Sequence, residues 1–429
     1  MRMPLLAVTI AMLGSISTPA GAQSSSPMLQ GEIPFEYSRG RNVSVRERPR
    51  PEYEALGIPL GGFTLSPSLD VATAYTDNVY AIQTKTSDGR VDFNPELAIR
   101  SRWSRNRLSL TGGANIRRYF NETLRNEDGW YVRGGGRYEI GLNGSIEASA
   151  QTEKLYESRF SPSTTIDVLS SVPYRFNQLR LLGQTSRGRF RFAASGSYEN
   201  YDFSAVVIPG GENLSQDNRD RRNWTGAALA EYGVSPDMAV FTQLTYEDIG
   251  YDTPLSASVP NRDSRTLRVI GGVSLDFTAL LRGRIGLGYM KRRYDADIYR
   301  DIGGLSGEAV LEYFPSQLTT VGLTVRRRID DASVTNSSGY ISTSSSLRID
   351  HELLRNLVLN AQVGYELGKY RGIDSETKVF RINGGGRYLI NRTISLGFDV
   401  GYGERKNDGV PTGPAFNETR GQLTVTFRK

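Results

Sequence analysis

The side chains in this sequence best suited to act on another molecule are arginines. Arg100, Arg102, Arg117, Arg133, Arg137, Arg268, Arg284, Arg326, Arg381 and Arg387 all fall on the polar side of stretches in which polar and apolar residues alternate. A guanidinium is permanently charged, and its planar fork matches carboxylate and phosphate oxygens. Ten such groups along one wetted face would favour anionic solutes or an acidic polymer. The same groups could instead pair with acids and brace a wall. Few acids fall at equivalent positions: Glu96, Glu147, Glu231, Asp276 and Asp399.

Catalytic chemistry has little to work with. The chain has one histidine, His351, and no cysteine. Ser344, Ser345, Ser346 and Asp350 lie near it, and a serine hydrolase would need the histidine beside both a serine and an acid. In an extended strand Asp350 and His351 point to opposite faces, which argues against an enzyme. No cofactor or metal site is expected. The net charge of +6 is dispersed and forms no nucleic-acid-reading module. Gly134-Gly135-Gly136 lies inside a strand pattern and opens no helix, so it is no phosphate loop.

The elements that must position these side chains are strands. Leu108, Leu110, Gly112, Ala114 and Ile116 alternate with Ser109, Thr111, Gly113, Asn115 and Arg117. Leu267, Val269, Gly271, Val273, Leu275 and Phe277 alternate with Thr266, Arg268, Gly272, Ser274 and Asp276. Similar runs cover Leu65–Val71, Val91–Arg100 and Ile394–Tyr402. Period two, with one greasy and one polar face, is strand spacing and fits no helix. Connections alternate in length. Short ones fall at Ser104-Arg105-Asn106, Gly141–Gly144, Arg187-Gly188, Pro315-Ser316 and Leu354-Arg355-Asn356; long polar ones lie near 77–89, 121–128, 158–172, 204–221, 251–263, 295–303, 330–338, 372–378 and 403–417. Tyr75, Tyr119, Trp130, Tyr198, Trp224, Tyr246, Tyr289, Tyr365 and Tyr402 gather at the long-loop ends. Trp103, Tyr138, Tyr232, Phe277, Tyr313 and Tyr388 gather at the short-turn ends. Alternating connections and two aromatic girdles describe an outer-membrane barrel with short periplasmic turns and long external loops. The expected fold is all-β: a transmembrane, antiparallel, up-and-down β-barrel of about 18 strands, with 16 to 18 as the range. Leu423, Val425 and Phe427 in the last strand form an expected C-terminal assembly signal, from which Arg428-Lys429 departs by following the phenylalanine.

Residues 1–22 read as a secretory signal peptide, with basic Arg2, an apolar run from Leu5 to Ile16 and Ala20-Gly21-Ala22 before the cleavage point. The run is too short and too interrupted for a spanning helix. Residues 23–62 mix charge and proline, as in Arg46-Glu47-Arg48-Pro49-Arg50-Pro51. Proline lacks the ladder donor, so this stretch is expected as a periplasmic arm, a strap in the barrel mouth or a linker. Residues 63–429 are then the barrel.

The succession Val45–Ile58, Phe63–Leu69 and Tyr75-Thr76-Asp77-Asn78-Val79-Tyr80 resembles the start of the β-barrel porin type 2 family of proteobacterial outer-membrane proteins. The resemblance extends over most of the mature chain through general barrel patterning. It implies a link to exopolysaccharide export, with polysaccharide-export proteins as partners, and supplies no catalytic motif. The remaining expected partners are outer-membrane lipid, the barrel-assembly machinery and periplasmic chaperones. The expected role is a passive channel or porin in the Gram-negative outer membrane. The alternatives are a filled-lumen structural or adhesin-like barrel and, third, a barrel hydrolase. A barrel of this size leaves an aqueous channel unless loops fold inward, and the loop at 204–221 is the expected one to do so.

Overall fold

The computed structural model describes residues 43–161, 168–277, 280–332 and 337–429. The signal-peptide expectation lies outside these residues. Eighteen strands pair antiparallel, each with its neighbours in sequence. They are β1 Phe63–Thr76, β2 Asp88–Ser101, β3 Arg107–Tyr119, β4 Glu127–Ile140, β5 Gly144–Tyr156 and β6 Pro173–Arg187. There follow β7 Phe190–Phe203, β8 Arg221–Ser235, β9 Met238–Tyr251, β10 Ser264–Phe277, β11 Leu281–Tyr294 and β12 Ile302–Ser316. The last six are β13 Thr319–Asp330, β14 Gly339–Leu354, β15 Leu357–Arg371, β16 Ser375–Leu389, β17 Ile394–Gly409 and β18 Phe416–Arg428. β18 closes on β1, from Ser68 opposite Arg428 to Thr76 opposite Arg420, so the barrel has no free edge.

Strand parity sorts the side chains. Leu287 and Leu305 are each 73% exposed on the outer face, whereas Arg284 and Arg292 are almost wholly buried inside. This is the reverse of a soluble protein and suits a wall with lipid outside. The aromatic girdles follow the same rule: Tyr75, Trp224, Tyr246 and Tyr289 are exposed outside near the long loops, and Trp103, Tyr138, Phe277 and Tyr313 near the short turns. Tyr119 is the exception. It lies directly opposite Arg90, is buried, and its ring sits 5.7 Å from the Arg90 guanidinium on the lumen side.

The strands run further than their hydropathy suggests. Residues 403–417 read as a loop, yet β17 continues to Gly409 through Glu404, Arg405, Lys406 and Asp408. Ladder hydrogen bonds to β16 persist there, above the lipid band, where the outer face no longer has to be apolar. The connection near 372–378 shrinks likewise to 372–374. At the other end, Gly188 takes φ +61° as the first residue of a two-residue hairpin turn, a conformation that favours glycine.

A charge on the outer face should be far costlier than one on the inner. Leu287→Arg, at the middle of β11, is expected to destabilise the folded barrel by about 2–4 kcal/mol. Urea titration read by heat-modifiable gel migration measures it; an unchanged midpoint would contradict the assignment of the outer face to lipid.

Candidate functional site: the barrel lumen

Nine of the arginines expected in the lumen lie on the inward face of their strands: Arg100, Arg117, Arg133, Arg137, Arg268, Arg284, Arg326, Arg381 and Arg387. The tenth, Arg102, follows β2 in a short turn and donates to the Gly61 carbonyl. The expectation that inward acids are few needs correction. Glu96, Glu147, Glu231, Asp276 and Asp399 do share the inward face, but so do Asp92, Glu127, Glu153, Glu247, Glu308, Glu312 and Glu366. Ion pairs result: Arg117 with Glu127 at 2.8 Å, Arg133 with Glu153 at 2.5 Å, Arg137 with Glu147 at 2.8 Å and Arg284 with Glu308 at 3.5 Å. Several of these acids sit in strand ends that are polar on both faces, where hydropathy gives no parity. Glu127 fell within the expected loop 121–128.

The balance is broken on one wall. On β16, β17 and β18 the inward positions carry Arg381, Arg387, Arg405, Arg420 and Arg428 against only Asp399 and Glu418. Arg405, Arg420 and Arg428 were not among the expected site residues. Arg405 lies in the part of β17 whose hydropathy resembles a loop. On β18 the hydropathy signal comes from the outward face, where Leu423, Val425 and Phe427 do point outside, and leaves its inward arginines unmarked.

Among the described residues, two connections reach side chains of distant strands across the lumen. The first follows β5. Phe160 seats against Gly403 on β17, where a Cβ would overlap its ring. That ring lies 4.8 Å from Phe416 and 5.8 Å from the Arg381 guanidinium. Arg405 Nη1 donates to the Ser161 carbonyl at 2.8 Å. A cavity of about 100 Å³ remains here, lined by Arg90, Arg117, Arg159, Arg381 and Arg420 and by Glu127, Glu157 and Glu418. The second follows β13, where Asp331 pairs with Arg292 of β11 and lies 3.7 Å from Arg221 of β8. The expected inward loop, 204–221, stays nearer home. It does turn inward there: Val206 packs on the inward-facing Phe176, Tyr201 and Phe203 of β6 and β7, and Arg219 reaches Glu157 of the first crossing segment at 2.6 Å.

The arm enters the opposite mouth. Val45 N–H donates to Thr320 Oγ1 at 3.0 Å. Arg48 and Arg50 share the buried Glu352 carboxylate at 3.3 and 2.7 Å, and Glu47 takes Arg282 at 3.1 Å. Arg355, Arg392 and Arg428 donate to the carbonyls of Pro49, Pro51 and Tyr53. Of the three readings open for this stretch, residues 44–54 take the form of a strap. Arg428, one of the two residues beyond Phe427, is one of its clamps.

His351 sits on the outer face, its Nδ1 2.9 Å from Thr319 Oγ1, while Asp350 points inward to Arg348. The two do not form a dyad.

The family described as "Putative beta-barrel porin 2" matches residues 50–429. The chain belongs to this family. It is an outer-membrane β-barrel of porin type. Among solved structures it is similar to OpdK of Pseudomonas aeruginosa, at 12% identity over 85% of this chain and 98% of that one, with a TM-score of 0.44. It is also similar to OccK2 (OpdF) of the same organism, at 13% identity over 86% and 98% and a TM-score of 0.46. The siderophore receptor PirA of Acinetobacter baumannii aligns at 8% identity over 85% and 80%, with a TM-score of 0.46. No curated protein matches the chain.

The family match begins at Arg50, inside the strap of this porin. Glu352 is its electrostatic anchor, since it answers two guanidinium groups and is itself buried. Removing one partner of a buried pair typically costs about 3–5 kcal/mol. Glu352→Gln should therefore loosen the strap, raise single-channel conductance and speed tryptic cleavage after Arg46, the strap arginine not followed by proline, in the folded protein. Unaltered cleavage would mean that the strap is held by its backbone contacts alone.

Burial by itself would raise the Asp331 carboxyl, but Arg292, Arg221 and Arg262 hold it below the usual carboxylate range. A depressed carboxyl contributes its full stabilisation above its unfolded value, about 3.9, and loses it as pH falls through the lower folded value. The loop should thus stay docked at neutral pH and release only in strong acid. Conductance recorded from pH 7 down to 3 tests this: a step centred near pH 6 would contradict it.

Proposed function

We propose that this barrel is a passive, narrow channel for anionic solutes, with the arginine wall of β16–β18 as its path. The observation that carries the reading is the cationic excess on those three strands beside the Phe160 constriction. Elsewhere the lumen is laced with Arg–acid pairs that brace the wall and leave little net field. On this one wall a carboxylate or phosphate meets guanidinium groups in sequence from Arg420 and Arg381 down to Arg387 and Arg428. Forked donors exchange such oxygens readily along a ladder.

Export of an acidic exopolysaccharide is the polymeric form of the same reading. It rests on the family resemblance, and it requires the strap at 44–54 to leave the periplasmic mouth, with polysaccharide-export proteins as the natural agents. A filled-lumen structural barrel is favoured by a different observation: one strap and two loops already occupy the interior.

Planar-bilayer recording in a KCl gradient separates these. The expected reversal potential is that of an anion-preferring pore, and Arg381→Gln with Arg420→Gln should lower that preference several-fold. Cation preference in the unaltered protein would overturn the path. Absence of conductance in a heat-modifiable, folded sample would favour the filled barrel.

A further inference from the structure

The outer face of β5–β8 differs from the rest of the lipid-facing wall. At the level where Ala150, Leu179, Tyr198 and Trp224 lie side by side, the strands begin a recess floored by small residues. Ala148, Ala150, Gly196 and Gly226 form its floor, and Leu179 and Trp224 stand at its sides. Its volume is about 1050 Å³. A side chain at Gly196 or Gly226 would meet nothing within 4 Å, so the recess is open space and the backbone does not require these glycines. A lipid-facing wall with an open, apolar furrow leaves room for a chain to lie along it.

Above the furrow, toward the long loops, Lys154 of β5 lies directly opposite Arg175 of β6, both on the outer face. Like charges directly opposite on one face of a sheet repel. Two other rows of this kind, Arg265 opposite Arg293 and Lys378 opposite Lys406, carry their own acids: Asp248 and Asp295 for Arg265, Asp408 and Glu404 for the lysines. Among the described residues, Lys154 and Arg175 have no carboxylate at ion-pair distance. Lys154 lies over the Tyr156 ring at 5.7 Å, and Asp202 stands opposite Arg175 on β7 without reaching it. Arg222 on β8 is taken by Asp252 at 2.7 Å.

The pair stands four residues above Ala150 and Leu179, or about 13 Å along the strands. The Tyr198–Trp224 ring pair, 4.6 Å between centroids, marks the lipid interface at the upper end of the furrow. The cations therefore sit at head-group height and the furrow at acyl-chain depth. We propose that this face holds one phosphate-bearing lipid of the outer leaflet, its phosphate between Lys154 and Arg175 and an acyl chain in the furrow. A guanidinium fork beside an ammonium suits a phosphate, and basic pockets on a membrane-facing surface recognise such head groups. The lumen takes no part in this, so the site stands or falls apart from the channel reading.

The full-length mature protein in detergent, titrated with diphosphoryl lipid A and followed by native mass spectrometry, tests the site. One lipid A is expected to be retained preferentially. Lys154→Gln with Arg175→Gln should weaken retention on the order of tenfold. Dephosphorylated lipid A should bind the unaltered protein as weakly. Gly196→Leu with Gly226→Leu should fill the furrow and reduce retention while heat-modifiable migration persists. Equal retention by the charge variant, or equal retention of the phosphate-free lipid, overturns the head-group assignment. Unchanged retention by the furrow variant overturns the acyl-chain assignment.

Discussion

Hydrocarbon offers no hydrogen-bond partner, so every backbone N–H and C=O inside the bilayer must be satisfied by the chain itself. In this protein the closure of β18 on β1 meets that demand. Once the ladder is continuous around the wall, the side chains are divided without remainder: odd or even position decides lipid or lumen. A chain that is only 38% hydrophobic can then span a membrane, because only one residue in two needs to be apolar, and only within the lipid band. The charged ends of β17 show where that band stops, since the hydrogen bonds continue and the alternation does not.

Polar groups sent inward must be answered by other groups sent inward. Around most of the wall the answer is local. Arg117 finds Glu127 and Asp92, Arg133 finds Glu153, and Arg284 finds Glu308 from neighbouring strands. These rows of opposite charge brace adjacent strands and cancel at a distance. The wall of β16–β18 carries more arginines than acids of its own, with Arg381 reaching Glu366 of β15 at 3.9 Å, and the crossing segment at 157–161 docks onto that wall. Its Phe160 needs the bare backbone of Gly403, and its Ser161 carbonyl needs Arg405. Constriction and charge excess thus share one set of residues.

The sequence made the barrel legible because the alternation in Leu108–Ile116 and Leu267–Phe277 has one physical source, and so have the aromatic girdles. The inward placement of nine of the ten expected arginines followed from the same parity. What lay beyond reach has physical reasons too. Tyr119 looks like a girdle residue by type and height, but one position of parity places it inside. Arg405 and Glu127 lie where both faces are wet, so hydropathy carries no parity signal. The partners of Phe160 and Asp331 are distant in sequence, and no local pattern announces a contact between a loop and the opposite wall.

The strap shows what closure makes possible. Its clamps come from β11, β13, β14, the turn before β17 and the last residue of β18, segments spread over most of the chain. Ile58–Leu60 then folds back as a short strand against the start of β1. Arg282 and Arg428 are brought to one mouth only when the intervening strands are paired around the wall. The complete set of clamps therefore exists only on the closed barrel. Through Arg428 on β18, and through Ile58–Leu60 on β1, the arm touches both strands of the seam. Residues 44–54 thus fill the mouth at the short-turn end beside the closing pair of strands, and whatever draws them out also breaks the Arg428 contact to β18.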